Sequence, residues 1–200
     1  MLKVFCGGSR IIPEYQSALP EDVCALLDYY MSINAALLIG DADGVDNLIQ
    51  TYVNNAGYKN VVVFHSTARP RYMVNNAWQT RHVPAYGLKG REFMQAKDKA
   101  MAATCDEALM VWNPVSVNKY GNLTVSKGTL ANCTNVVIQA KPVVVWSTAQ
   151  HHAVRCASIQ GLAQWMEDLK PYTAQGEQYK AMMIQEFQRQ KNQSIRWINR

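Results

Sequence analysis

Ser126-Lys127-Gly128-Thr129 lies between the apolar runs 108–112 and 142–146, where a strand would end and a helix begin. A short, donor-rich turn at such a place suits a phosphate, because free backbone N–H groups and the helix dipole both favour an anion there. Two further turns of this kind lie upstream. Gly7-Gly8-Ser9-Arg10 follows the run 2–5, and Gly40-Asp41-Ala42-Asp43-Gly44-Val45-Asp46 follows the run 35–39. Arg10 supplies a planar fork for phosphate and Ser9 a hydroxyl. Glycines 40 and 44 permit close backbone approach, and Asp46 stands where it can cap the helix that follows.

These turns must be positioned by the elements around them. Each sits where an apolar run stops and glycine begins, the pattern of a buried parallel strand leaving a sheet. In open α/β sheets such exits face one crevice, where ligands bind. Helical periodicity over 21–31, 46–56, 91–104 and 129–139 alternates with strand-like runs at 35–39, 60–64, 107–112 and 142–146. With the run 2–5 this predicts a mainly parallel five-stranded sheet. Residues 66–90 lose the periodicity but carry Arg69, Arg71, Trp78, Arg81 and Tyr86, and are expected to form a basic flap over the crevice. Residues 113–125 are a second polar loop, and residues 149–200 read as a helical tail broken at Pro171.

Composition bounds the reading. The chain has 200 residues, of which 48% are hydrophobic and 18% charged, enough for one substantial core. The net charge is +5, with acids crowded into the first quarter and cations into the middle, so an anionic ligand or partner near the middle is expected. Five cysteines form no C-x-x-C pair and an odd number cannot all pair, which points to a reducing compartment and to Cys6 as a core residue. The first residues lack the apolar core of a signal peptide, and no later run approaches membrane-spanning length, so a cytoplasmic protein with no membrane partner is expected.

Other chemistries fit less well. An EF-hand places glycine sixth and glutamate twelfth in its loop; counted from Asp41 those places hold Asp46 and Tyr52, so calcium fails on spacing. Histidines 151 and 152 are adjacent, which points them in different directions on a regular element, so no metal site and no other cofactor is expected. The chain has no G-x-S-x-G nucleophile elbow.

The turns taken in order resemble a family. Gly8-Ser9-Arg10, Gly40-Asp41-Ala42-Asp43-Gly44-Val45-Asp46, Lys97-Asp98-Lys99-Ala100-Met101 and Ser126-Lys127-Gly128-Thr129 are similar to the G-S-R, G-G-A-x-G-x-D, R-N-x-x-M and S-x-G-T signatures of the SLOG superfamily of Rossmann-like nucleotide-binding domains. Within that superfamily the chain looks like the YspA-like branch; more distant members include the Lonely Guy phosphoribohydrolases and the DNA-processing protein DprA. The resemblance implies a Rossmann-like three-layer α/β sandwich over residues 1–148, with 149–200 a helical extension that packs on the domain or mediates homo-oligomerisation. It implies a nucleotide or nucleotide-derived ligand on Gly8, Ser9, Arg10, Gly40, Asp41, Gly44, Asp46, Arg91, Lys97, Ser126, Lys127, Gly128 and Thr129. Asp41 replaces the family's glycine and adds a charge that repels phosphate or meets a ribose hydroxyl.

The phosphoribohydrolases carry a glutamate and an arginine that assist cleavage of the N-glycosidic bond. Alignment puts Asn132 and Lys97 in those places, which keeps a cation but loses the carboxylate. Binding, for sequestration or sensing, is therefore favoured over catalysis. The alternative is an N-glycoside hydrolase or transferase acting on nucleoside 5'-monophosphates, with Lys97, Asp98 and Glu92 as candidate catalytic groups; for Lys97 and Asp98 a solvated helix face is an equal expectation. Single-stranded nucleic-acid binding through Tyr72, Trp78 and Tyr86 of the flap is a further alternative.

Overall fold

Runs of valine, leucine and isoleucine without polar alternation belong to strands covered on both faces, and five such runs form the centre of the sheet in a computed structural model of the chain, which describes residues 1–10, 12, 15, 17–117, 120–169 and 176–198. The elements in chain order are β1 (Lys3–Gly8), α1 (Glu21–Ser32), β2 (Ala36–Ile39), α2 (Val45–Asn55), β3 (Val61–His65), β4 (Gln79–His82), α3 (Gly90–Thr104), β5 (Glu107–Trp112), β6 (Val115–Val117), β7 (Leu123–Val125), α4 (Lys127–Val137), β8 (Val143–Ser147), β9 (Ala153–Cys156), α5 (Ile159–Asp168) and α6 (Gly176–Ile198). The sheet order is β4-β3-β2-β1-β5-β8-β9, while β6 and β7 form a separate antiparallel hairpin. All pairs in the large sheet are parallel except β8 with β9.

Successive strand residues point to opposite faces, and each face carries its own core. Val4, Leu37, Ile39, Val63 and Leu109 pack with Val23 and Leu27 of α1 and Ile49 and Val53 of α2. Phe5, Leu38, Phe64, Met110 and Trp112 pack on the other side with Met101 of α3, Leu130 and Val137 of α4, Trp165 of α5, and Met183 and Phe187 of α6. Four of the five cysteines are buried, Cys6 among them, and all five are free thiols.

The sheet has seven strands, not five. Both additional strands are at edges, where one side of a strand has no neighbour to bury it. Gln79-Thr80-Arg81-His82 is exposed at every position and pairs only with β3, so it carries no apolar signal. It lies inside the segment expected to be a flap. Trp78, just before it, is only 5% exposed and donates its indole N–H to the Tyr58 carbonyl at 3.0 Å, which anchors this segment to the sheet. The polar loop 113–125 contains the β6–β7 hairpin, and the helical tail begins with β9, so the sheet runs through the expected boundary at residue 148. Pro171 lies outside the described residues. Among the described residues no helix is long and apolar enough to cross a membrane.

Candidate functional site

The chain leaves β1 with β2 on one side and β5 on the other, so the crossovers depart in opposite directions and open a crevice at the strand C-termini. Gly8 makes the close approach possible: a Cβ there would collide with the Val111 carbonyl. Ser9 N–H donates to that same carbonyl at 2.9 Å, and Val45 N–H donates to the Ser9 carbonyl at 3.1 Å. The Ser9 hydroxyl, 4% exposed, accepts from Asn113 N–H at 2.9 Å and lies 3.0 Å from Ser126 Oγ and 3.3 Å from Thr129 Oγ1. One serine thus ties the exits of β1 and β5 to the start of α4.

A cleft of about 430 Å³ opens over this knot, large enough for a small-molecule ligand. Its anion-favouring side is the first turn of α4. Ser126 is the N-cap residue, but its hydroxyl turns to Ser9 and makes no capping hydrogen bond. Nothing crowds the Cβ position of Gly128, so a ligand can reach the backbone there. Arg10, Arg91 and Lys127 border the same cleft. The N–H groups of a helix first turn together with three cations give this side of the cleft a positive character.

The opposite side is a buried charge cluster. Lys97, 4% exposed, places Nζ 2.9 Å from Asp98 Oδ1, 3.7 Å from Asp41 Oδ1 and 3.9 Å from Asp46 Oδ2. Burial disfavours its charge, but the three carboxylates outweigh that and raise its pKa. Lys97 is therefore no solvated surface residue; α3 turns it into the protein. Arg71 grips Asp41 bidentately, Nη2 to Oδ1 at 2.8 Å and Nε to Oδ2 at 3.2 Å, and its backbone N–H adds a third bond at 3.0 Å. Burial works against the Asp41 anion, yet these bonds hold its carboxyl below the usual range. Asp46 differs. Burial pushes it up to about 6, with Lys97 pulling the other way.

Asp46 also does not cap α2. Gly44 holds the N-cap position, and Asp46 instead accepts from Ala42 N–H at 3.2 Å, closing its own loop. Its raised pKa means that the folded chain keeps a proton the unfolded chain releases between about pH 4 and pH 6, so stability falls as pH rises through that window. Asp46→Asn is expected to stabilise the protein at about pH 8 by roughly 1–3 kcal/mol, with the gain vanishing near pH 4. Urea unfolding of both proteins at the two pH values measures it; an equal difference at both would show that Asp46 is not the titrating group.

Gly8, Ser9, Arg10, Asp46, Arg91, Lys97, Asp98, Ser126, Lys127, Gly128 and Thr129 all border the cleft. Gly40, Asp41 and Gly44 stand behind it. Gly40 leaves room for Asp46 and Lys97, Asp41 is spent on Arg71, and Gly44 packs on the Arg10 backbone. Glu92 is exposed on α3 and Asn132, 8% exposed, borders the cleft. From the expected flap, Arg71 alone reaches the cleft, and the burial of Trp78 removes one of its three stacking platforms. Sequence reasoning missed Asn113, whose polar loop gave only a weak signal, and Glu186 of α6, which lies 3.3 Å from Lys127 Nζ. Glu186 sits in an amphipathic helix far along the chain, and no local pattern marks it.

Fold and cleft together define an α/β protein with a crevice at the point where a mostly parallel sheet reverses its strand order. No protein-family model matches the chain, and a search of curated proteins finds no match either.

Proposed function

We propose that the protein binds a phosphorylated nucleoside or a nucleotide-derived signal in this cleft, as a sequestering or sensing protein of the Rossmann-like SLOG type. The observation that carries the reading is the convergence of Arg10, Arg91, Lys127 and the first turn of α4 on one opening. The phosphoryl group sits on that turn, as anions do at helix N-termini. The apolar side chain of Met94, which is half-buried and borders the cleft, offers a surface for the base. Binding without cleavage is favoured because Asn132 brings no negative charge to stabilise a sugar cation.

One observation supports a second reading, N-glycoside cleavage. Asp98 and Asp46 border the same cleft, and a carboxyl pushed up to about 6 can hold or release a proton near neutral pH.

Titration with AMP, GMP, CMP and UMP, followed by chromatography of the recovered ligand, separates the two. Intact nucleotide supports binding alone, and free base supports cleavage. Arg10→Ala is expected to weaken the bound nucleotide by about 10- to 100-fold, the loss of charge-assisted hydrogen bonds. Unchanged affinity in this variant would rule out the site.

A further inference from the structure

The C-terminal helix touches two residues of the cleft wall through one carboxylate. Glu186 of α6 is 6% exposed, and its two oxygens are already served by its own helix: Arg189 Nε donates to Oε2 at 3.0 Å, Gln190 Nε2 to Oε1 at 2.6 Å, and Arg189 Nη2 also meets Oε1. Burial alone would raise the Glu186 pKa, but these donors and Lys127 bring it down to about 2, so it stays an anion. Two more cations approach from the cleft wall and at longer range, Lys127 Nζ at 3.3 Å from Oε2 and Arg91 Nη2 at 3.9 Å from Oε1. Both are half-exposed, and both border the cleft.

The placement of Lys127 needs an explanation. It opens α4, where the helix dipole disfavours a cation, and Glu186 is the carboxylate that offsets it. Among the described residues three cations surround the Glu186 anion, so the cluster keeps positive charge to attract a second anion. Because Arg189 and Gln190 satisfy the carboxylate by themselves, Lys127 and Arg91 can leave it without stranding a buried charge.

We propose that Glu186 is a resident anion that holds Arg91 and Lys127 until a phosphomonoester dianion enters the cleft, whereupon the two cations transfer to the phosphate and α6 loses its tie to the cleft. The inference rests on the phosphate-binding reading and adds the ligand's charge class and a coupling to the C-terminal helix. A phosphomonoester carries close to two negative charges at neutral pH, against one on a carboxylate. A phosphodiester carries one, and gains nothing by the exchange.

The test uses ribose 5-phosphate, which leaves the base out of the question. Isothermal titration of the full chain is expected to show Glu186→Gln binding about five- to tenfold more tightly than the wild type, the release of two partly exposed ion pairs. Equal or weaker binding by the variant overturns the proposal. In the wild type, saturation with ribose 5-phosphate should speed amide hydrogen exchange in residues 183–193 of α6; unchanged exchange overturns it too, and this measurement stands even if the variant fails to fold. Dimethyl phosphate, a monoanion, should compete no better than chloride, and competition equal to that of ribose 5-phosphate would remove the charge argument. If the wild type binds ribose 5-phosphate but the variant and the exchange are unchanged, only the coupling falls. If neither protein binds it, the phosphate-binding reading falls as well.

Discussion

Replacing Lys97 by methionine is expected to destabilise the protein by about 3 kcal/mol near pH 8, the lower end of what breaking a buried ion pair costs. The ammonium group is shared by three carboxylates within 3.9 Å and is almost fully buried. Methionine fills much of the volume and supplies no charge. The three acids then fare differently. Asp41 keeps its bidentate bond to Arg71, and Asp98, whose side chain is 19% exposed, can turn to water. Asp46 retains the Ala42 N–H but is deeply buried, so it answers by taking up a proton. Its pKa, already about 6, rises further without Lys97. The folded variant therefore binds a proton more tightly than the unfolded chain over a wider pH range, and its stability falls as pH rises through that range. Urea unfolding near pH 8 and near pH 5 should show a smaller loss at the lower pH; a loss equal at both would mean that Asp46 does not take the proton.

Gly44→Ala should cost a similar amount, about 3 kcal/mol, and should also remove the proposed nucleotide binding. Two effects add. Gly44 has φ +84° and ψ −127°, a region that L side chains rarely occupy. A Cβ there would also run into the backbone of Arg10. To relieve the contact, either the Gly40–Asp46 loop or the Ser9-Arg10 turn must move. The two are joined by the hydrogen bond from Val45 N–H to the Ser9 carbonyl, so a shift of one carries the other. Arg10 then leaves its place at the cleft. Gly57→Ala is the matched control: φ is +70° and nothing lies within 4 Å of the added atom. It should cost only about 1–2 kcal/mol, the backbone term alone, and leave nucleotide affinity unchanged. Thermal unfolding and nucleotide titration of both variants measure this, and equal effects at the two glycines would show that the contact with Arg10 does not matter.

Much of this architecture is written locally in the chain. The apolar runs that become β1, β2, β3, β5 and β8 are covered on both faces, so their side chains are apolar without alternation and stand out in any window. The three polar turns at their exits are equally visible, because glycine, serine and aspartate are what a tight turn beside a ligand needs. Their convergence follows from the parallel order of the strands. The edge strands β4 and β9 had no such mark. A strand paired on one side only and open to solvent has no reason to be apolar, and Gln79-Thr80-Arg81-His82 could equally belong to a loop.

The electrostatic character of the site was decided at long range. Lys97 and Asp98 read equally well as a solvated helix face; packing of α3 against the sheet turned Lys97 inward to meet carboxylates more than fifty residues earlier in the chain. Arg71 reaches Asp41 across thirty residues, and Glu186 meets Lys127 only because α6 lies on α4. Residue spacing governs backbone periodicity, which acts over a few positions. A charged side chain takes its protonation state and its partners from whatever the folded chain brings beside it, and no short stretch of residues contains that information.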